Sequence, residues 1–231
     1  MRDELVAWGV DSARVTVEGD GVDLRRFEHM PPSAEARGTW HLPADRKIAV
    51  YVGSLVTRGT IEKGVQELLA SLAILKQEQM VFGWIVGGPR DQVDRYRAMA
   101  RHLGLGDADV RFEGPIQNAR IPSILSAADV CVYPAPASRH SFFQRDTSPL
   151  KVFEYLASGR PTVCADLPPL RGVIDPALVH FCPPGNATAL AASIREALHH
   201  PKMNEEKRAA LLAHTSWDAR MRRILQCSHP A

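Results

Sequence analysis

The stretch RDTSPLKVFEYLASGRPTVCADLP, residues 145–168, holds the densest set of side chains able to do chemistry. A loop of small and hydroxyl residues runs into a helical pattern near Pro149. Proline in a first helical turn removes no hydrogen bond, because its N–H would be an orphan donor there. Thr147 and Ser148 are residue types that cap a helix start. A helix start offers free amides and the positive end of the dipole, which suits a phosphate or diphosphate. Thr147, Ser148, Pro149 and Leu150 are therefore candidate anion-binding positions. Glu154 lies about one turn inside, where a carboxylate can accept two hydrogen bonds from a ribose diol. Asp146, in the loop eight positions earlier, could accept from a second polyol such as a sugar. Spacing leaves plainer alternatives open: a solvated helix residue for Glu154, and a helix-dipole partner for Asp146.

These residues sit in a chain of ordinary globular composition. It has 231 residues, 45% hydrophobic and 23% charged, enough for one good core. The net charge of +2 and the lack of any run of like charge argue against a nucleic-acid binder. No stretch of apolar residues is long enough to span a bilayer, and the charged opening MRDELVAWGVD does not read as a signal peptide. The expected compartment is the cytosol. Cys131, Cys164 and Cys182 fall in or at the end of apolar runs, as small buried hydrophobes do, and Cys227 stands apart. No C-x-x-C pair or His/Cys spacing fits zinc, so no metal site is expected.

Six short apolar runs must position the site: 47–53, 80–88, 109–114, 129–134, 161–166 and 178–185. Helical patterns separate most of them, over 65–75, 91–103, 121–128, 150–158 and 187–199, with one or two more over 205–226. Apolar rather than alternating strands predict a parallel sheet covered on both faces. The expected fold class is α/β, a Rossmann-like doubly wound sheet of about six strands. Such sheets bind ligands beyond the carboxyl ends of their strands. Gly53, Gly87, Gly88, Gly114, Pro134 and Gly185 fall at those ends, where each glycine can also serve simply as a turn. The first 17 residues read as a short helix leading into a strand at ARVTVEG (13–19), followed by a linker over 28–45. One domain over 41–231 is expected, with residues 1–40 as an extension.

The run EYLASGRP supplies Glu154, Ala157, Gly159 and Pro161 in the spacing E-x-x-A-x-G-x-P, and TSPLK stands just ahead of it. In this the segment resembles the C-terminal domain of glycosyltransferase family 4, of the GT-B fold, whose Glu-x7-Glu motif ends on that second acid. The chain departs at the first acid, where Asp146 replaces Glu. GVDLRRF (21–27) resembles the family's junction between its two halves, which implies that residues 1–40 are the end of the N-terminal half and the interdomain linker. YVGSL…EKG (51–64) resembles its first donor-domain strand and glycine loop, with Gly53 and Lys63. Ser54 stands where the family often has Arg, and Arg58 is a candidate substitute. IVGG (85–88), VRFEGPI (110–116), IPSILSAADVCVYP (121–134) and TSWDARMRRIL (215–225) resemble further stations in the family's order.

The resemblance implies a nucleotide-diphosphate sugar (UDP-, GDP- or ADP-linked) as donor, transferred with retention and without a metal or other cofactor. Catalytic positions would be Lys63, Asp146 and Glu154. Lys63 would neutralise the diphosphate, Glu154 would hold the ribose, and Gly114, Pro115 and Ile116 would read the base through their backbone. Gly53, Ser54, Arg58, Gly88 and Thr147 to Leu150 complete the implied donor site. In the loop over 134–146, Arg139 and Arg145 are candidate anion contacts and His140 a candidate base, each against an ordinary solvated role. A GT-B enzyme needs an acceptor-binding first half, for which this chain is too short. The expectation is a fragment, natural or engineered, or one subunit of a split enzyme, inactive alone and possible at a membrane only through that first half. A non-catalytic nucleotide-sugar-binding module and a GT-B sugar epimerase remain alternatives.

Overall fold

A computed structural model describes residues 2–57, 59–78 and 81–228, Ser228 by its backbone only. Chain order begins with α1 (Arg2–Ala7), α2 (Ser33–Thr39), β1 (Lys47–Val52), β2 (Val56–Thr57), β3 (Ile61–Glu62) and α3 (Val65–Lys76). It continues with β4 (Val81–Val86), α4 (Arg90–His102), β5 (Val110–Gly114), α5 (Ile121–Ala127), β6 (Val130–Tyr133) and α6 (Leu150–Ala157). It ends with β7 (Thr162–Ala165), α7 (Pro168–Arg171), β8 (His180–Cys182), α8 (Ala187–His199), α9 (Glu205–Thr215) and α10 (Trp217–Ser228). All six apolar runs form strands. They pair in the order β5-β4-β1-β6-β7-β8, each neighbouring pair parallel. The chain starts at the middle of the sheet, winds out to β5, returns beside β1 as β6 and winds out the other way to β8. The order reverses between β1 and β6, which is where a doubly wound sheet opens its crevice.

Side chains leave alternate faces of a strand. On β1, Ile48, Val50 and Val52 enter one core with α2, α5 and α6, while Ala49 and Tyr51 enter a second with α3, α4 and α8. Both faces being buried explains why the strands read as continuous apolar runs. The helices end and begin on ordinary signals. Gly104 and Gly159 both take positive φ just past α4 and α6. At the start of α8 the Asn186 side chain accepts from the Ala189 amide at 2.9 Å. Asn186→Ala should lower unfolding stability by about 1 kcal/mol, read from the midpoint of a urea titration at unchanged slope.

Two sequence expectations fail at the N-terminal side. The segment 13–19 is no strand: a 3-10 turn at Ser12–Arg14 gives way to irregular chain, and Val17 is exposed. Its alternating valines have the right period, but no neighbouring strand pairs with its backbone. The segment 28–45 is no plain linker either. It contains α2, whose Ala36 is buried, and Trp40 packs edge-on against Trp84 at 5.3 Å between ring centroids. Arg37 fixes α2 to the α5–β6 corner through the Ala127 carbonyl (3.0 Å) and Asp129 (2.5 Å). Further back, Val22 bridges the α9–α10 junction, its amide donating to Thr215 O and its carbonyl accepting from Trp217 N. The residues ahead of the sheet are therefore built onto it.

Candidate functional site

A cleft of 410 Å³ opens beyond the carboxyl ends of β1, β4 and β5. Gly53 and Ser54 after β1, Gly88 after β4, and Pro115 and Ile116 after β5, all among the candidate positions, line it. Val52, Val86 and Ile121 add apolar walls that the sequence reading did not single out. The loops hold each other: the Gly53 amide donates to Val86 O at 2.8 Å, and the Leu55 amide to Gly88 O at 2.9 Å. Gly114 ends β5 with φ +77°, turning the chain toward Pro115. The Ser54 hydroxyl is spent on the Val56 carbonyl, while its own carbonyl accepts from Tyr51 Oη at 2.5 Å. A mostly apolar cleft lined by strand ends and glycine loops suits a flat heterocycle.

Two lysines converge beside the cleft. Lys63 is only 8% exposed, and its Nζ stands 3.9 Å from the centroid of the Phe142 ring. Gly64 makes this possible. At φ +80° it packs on the chain after β6, where an added Cβ would fall 2.5 Å from the Ala135 amide nitrogen. Lys151, in the first turn of α6, reaches across to the loop after β1. A Cβ on Gly53 would lie 2.0 Å from Lys151 Cε and 2.1 Å from its Nζ, so only glycine admits this lysine. Among the described residues neither lysine has a carboxylate within 4.0 Å. Burial lowers Lys151 to a pKa of about 8, and burial together with the charge of Lys151 lowers Lys63 to about 8. Both still carry protons at neutral pH. Two desolvated cations outside any ion pair, placed at a topological switch point, are an arrangement that suits an anionic ligand. Lys151 was missed from sequence. The signal was present, since a lysine in the first turn opposes the helix dipole unless an anion lies nearby.

Helix α6 is set against the end of β1 by Tyr155, whose hydroxyl accepts from Val52 N at 3.0 Å and donates to Val52 O at 3.3 Å. Pro149 takes the cap position, one residue ahead of the helix, and the Leu150 amide donates to Ser148 Oγ at 3.2 Å. Lys151 N and Val152 N precede the first helical bond, from Phe153 N to Pro149 O, so their amides are available to a ligand. Thr147 is buried and its hydroxyl donates to Phe142 O, which makes it a brace of the loop. The Ser148 hydroxyl also meets Asp20, and the Leu150 side chain is exposed. Glu154 is largely buried and accepts from Arg26 Nη1 at 2.9 Å. Burial pushes its carboxyl up, and Arg26, with a smaller contribution from Lys151, pulls it back down.

Other candidate positions are not brought into this arrangement. Asp146 ends a π-helical turn over Phe142–Asp146, exposed and without a hydrogen bond or ion pair among the described residues. Arg139, His140 and Arg145 are exposed, and His140 Nδ1 accepts only from the Phe142 amide at 3.1 Å. Arg58 lies outside the described residues. Among the described residues, no group of three His, Cys, Asp or Glu side chains could hold a metal, and no helix is long and apolar enough to cross a membrane.

This sheet, with its cleft at the switch point, is the α/β architecture of GT-B glycosyltransferases. Sucrose-phosphate synthase from Thermosynechococcus elongatus superposes with a TM-score of 0.73 at 27% identity, over 90% of this chain and 50% of that one. HepE of Anabaena, solved in complex with UDP, has a TM-score of 0.72 at 18% identity, over 97% of this chain and 60% of that one. Residues 46–200 match the family described as glycosyl transferases group 1, and the chain belongs to that family. D-inositol 3-phosphate glycosyltransferase 2 from Catenulispora acidiphila is 28% identical over 228 residues, 94% of this chain but 51% of the relative. The chain thus spans about half the length of the curated relative and of the synthase.

Proposed function

We propose that this chain is the donor-binding, C-terminal half of a retaining glycosyltransferase of family 4, taking a nucleotide-diphosphate sugar. One observation carries the reading: buried Lys63 and partly buried Lys151, neither with a carboxylate within 4.0 Å among the described residues, flank an apolar cleft at the sheet's switch point. The base would enter the cleft against Gly88 and the backbone of Gly114 to Ile116. The diphosphate would meet Lys63, Lys151 and the first amides of α6. Glu154 would accept from the ribose hydroxyls. During transfer the acceptor oxygen would bond to the anomeric carbon as the sugar–diphosphate bond breaks, the acceptor's proton leaving with the diphosphate, and both lysines would stabilise charge growing on that leaving group. No metal is required for that role, and chelation by EDTA should leave nucleotide affinity unchanged.

The acceptor would be held by a first half contributed by residues or a subunit beyond this sequence. Without it, donor and acceptor are not oriented and water is not excluded, so transfer by this chain alone should be slow. The exposed, unpartnered Asp146 favours a second reading, a donor-binding module that needs a partner to organise its sugar subsite. Calorimetry and thermal unfolding with UDP, GDP, ADP and their sugars test the first claim. Stabilisation by at least one of them is expected, and saturating concentrations of all without effect would overturn the donor reading.

A further inference from the structure

Arg26 belongs to a 3-10 turn at Leu24–Phe27, well ahead of the sheet, yet its guanidinium lies inside the proposed nucleoside subsite. Nη1 donates to Glu154 Oε1 at 2.9 Å. Nη2 donates to Asn118 O at 2.6 Å and Asn118 Oδ1 at 3.0 Å. Asn118 stands two residues beyond Ile116, in the loop that follows β5. One planar fork therefore spans the base-side loop and the acid one turn inside α6. A lysine, with a single point of charge, could not make this bridge. The turn itself is anchored, since Asp23 caps it through the Arg25 amide and Val22 is pinned to the α9–α10 junction.

We infer that Arg26 is a positioning residue for nucleotide binding: it aims Glu154 at the ribose and locks it in register with the base-side loop. The inference rests on the donor reading above. Arg26 engages Oε1 alone, and Oε2 makes no hydrogen bond among the described residues, so the carboxylate keeps acceptor capacity for a diol. The groups that set its charge state are few. Burial favours the neutral acid, whereas Arg26 from the 3-10 turn and Lys151 from the same helix favour the carboxylate. Removing Arg26 removes the larger of the two opposing charges. The acid would then take up a proton at higher pH, and a protonated carboxyl is a poorer acceptor for two hydroxyls.

The test measures affinity for UDP, GDP and ADP, and for the 2′-deoxy form of the best binder, between pH 5.5 and 8. Wild type is compared with Arg26→Ala, Arg26→Lys and Glu154→Gln. Arg26→Ala should bind more weakly at pH 8, and its deficit should widen by on the order of tenfold as pH falls, because each unit of raised pKa is tenfold in the population of the carboxylate. Arg26→Lys should flatten that pH dependence by restoring charge, while keeping a loss at pH 8 because the bridge to Asn118 is gone. The ribose-over-deoxyribose preference should shrink in step with affinity. A merely structural role would give a deficit independent of pH and of the 2′-hydroxyl, and would overturn the inference. Unchanged or tighter binding by Arg26→Ala would overturn it too, and would make Arg26 a competitor of the ribose. If Arg26→Ala fails to fold, Arg26→Lys alone decides: a deficit at pH 8 with a smaller ribose-over-deoxyribose preference is expected, and no deficit, or a deficit with that preference unchanged, excludes the bridging role. The two readings separate through Glu154→Gln: a weakened Glu154→Gln beside a normal Arg26→Ala rejects this inference alone. No binding by wild type, or a Glu154→Gln that binds normally, rejects the ribose site itself.

Discussion

Exchanging Lys151 for methionine weakens nucleoside diphosphate binding by about 1.5–3 kcal/mol, the usual worth of a hydrogen bond to a charged group. Lys63→Met has a similar effect, and the double variant loses at least the sum, because removing Lys151 alone relieves the repulsion that lowers Lys63. Methionine keeps most of the apolar stem, so packing against Tyr51, or against Phe142 for Lys63, is largely retained. The pH dependence separates this from a packing defect. Burial lowers both lysines to about 8 in the free protein. A bound diphosphate favours their charged forms, so binding takes up protons wherever the free lysines are partly neutral. Affinity is then full below pH 8 and declines as pH rises above it, toward the ordinary lysine range. Stability without ligand runs the other way. Between about pH 8 and 10.5 the unfolded chain holds more protons on these lysines than the native one, so this contribution to stability rises with pH. Nucleotide titrations at pH 7 and 9.5 in wild type and both variants check the first sign, and denaturant titrations of the apo proteins check the second. Equal pH slopes in wild type and both variants would remove the lysines from the anion site.

Glu154→Ala should reduce nucleoside diphosphate affinity by about 1–3 kcal/mol, by removing the acceptor for the ribose hydroxyls. The side chain is mostly buried and held on a helix braced to β1 through Tyr155, so no neighbouring carboxylate can easily replace it. The loss should be confined to ribonucleotides. A 2′,3′-dideoxynucleoside diphosphate should bind wild type and Glu154→Ala with nearly equal affinity. Calorimetry on both ligands decides the point. An equal loss for the two would mean that Glu154 supports the local fold and does not touch the ribose.

The strands, most helices and the walls of the cleft were legible in the sequence for a local reason. A strand buried on both faces shows as an apolar run, a helix shows as a 3.6-residue period, and glycines mark where the backbone turns or comes close to something. Those signals located β1, β4 to β8, α3 to α6 and α8, and with them Gly53, Gly88, Pro115 and Ile116. The same local logic overreached at 13–19, where alternating valines had no strand to pair with, and at 28–45, where prolines hid α2. Tertiary structure alone decided which charges meet. Lys151 becomes a site residue because Gly53, 98 positions earlier, lacks a Cβ and lets its amine lie against the loop after β1. Arg26 finds Glu154 across 128 positions because Val22 is pinned to the α9–α10 junction. Asp146 matches the acid of the motif in spacing but stands exposed and unpartnered. By itself, then, the sequence determined the sheet, its open end and the class of residue placed there, since these follow from period and residue type. The folded chain decided which of those residues face one another, since desolvation and charge pairing depend on distances that no spacing along the chain encodes.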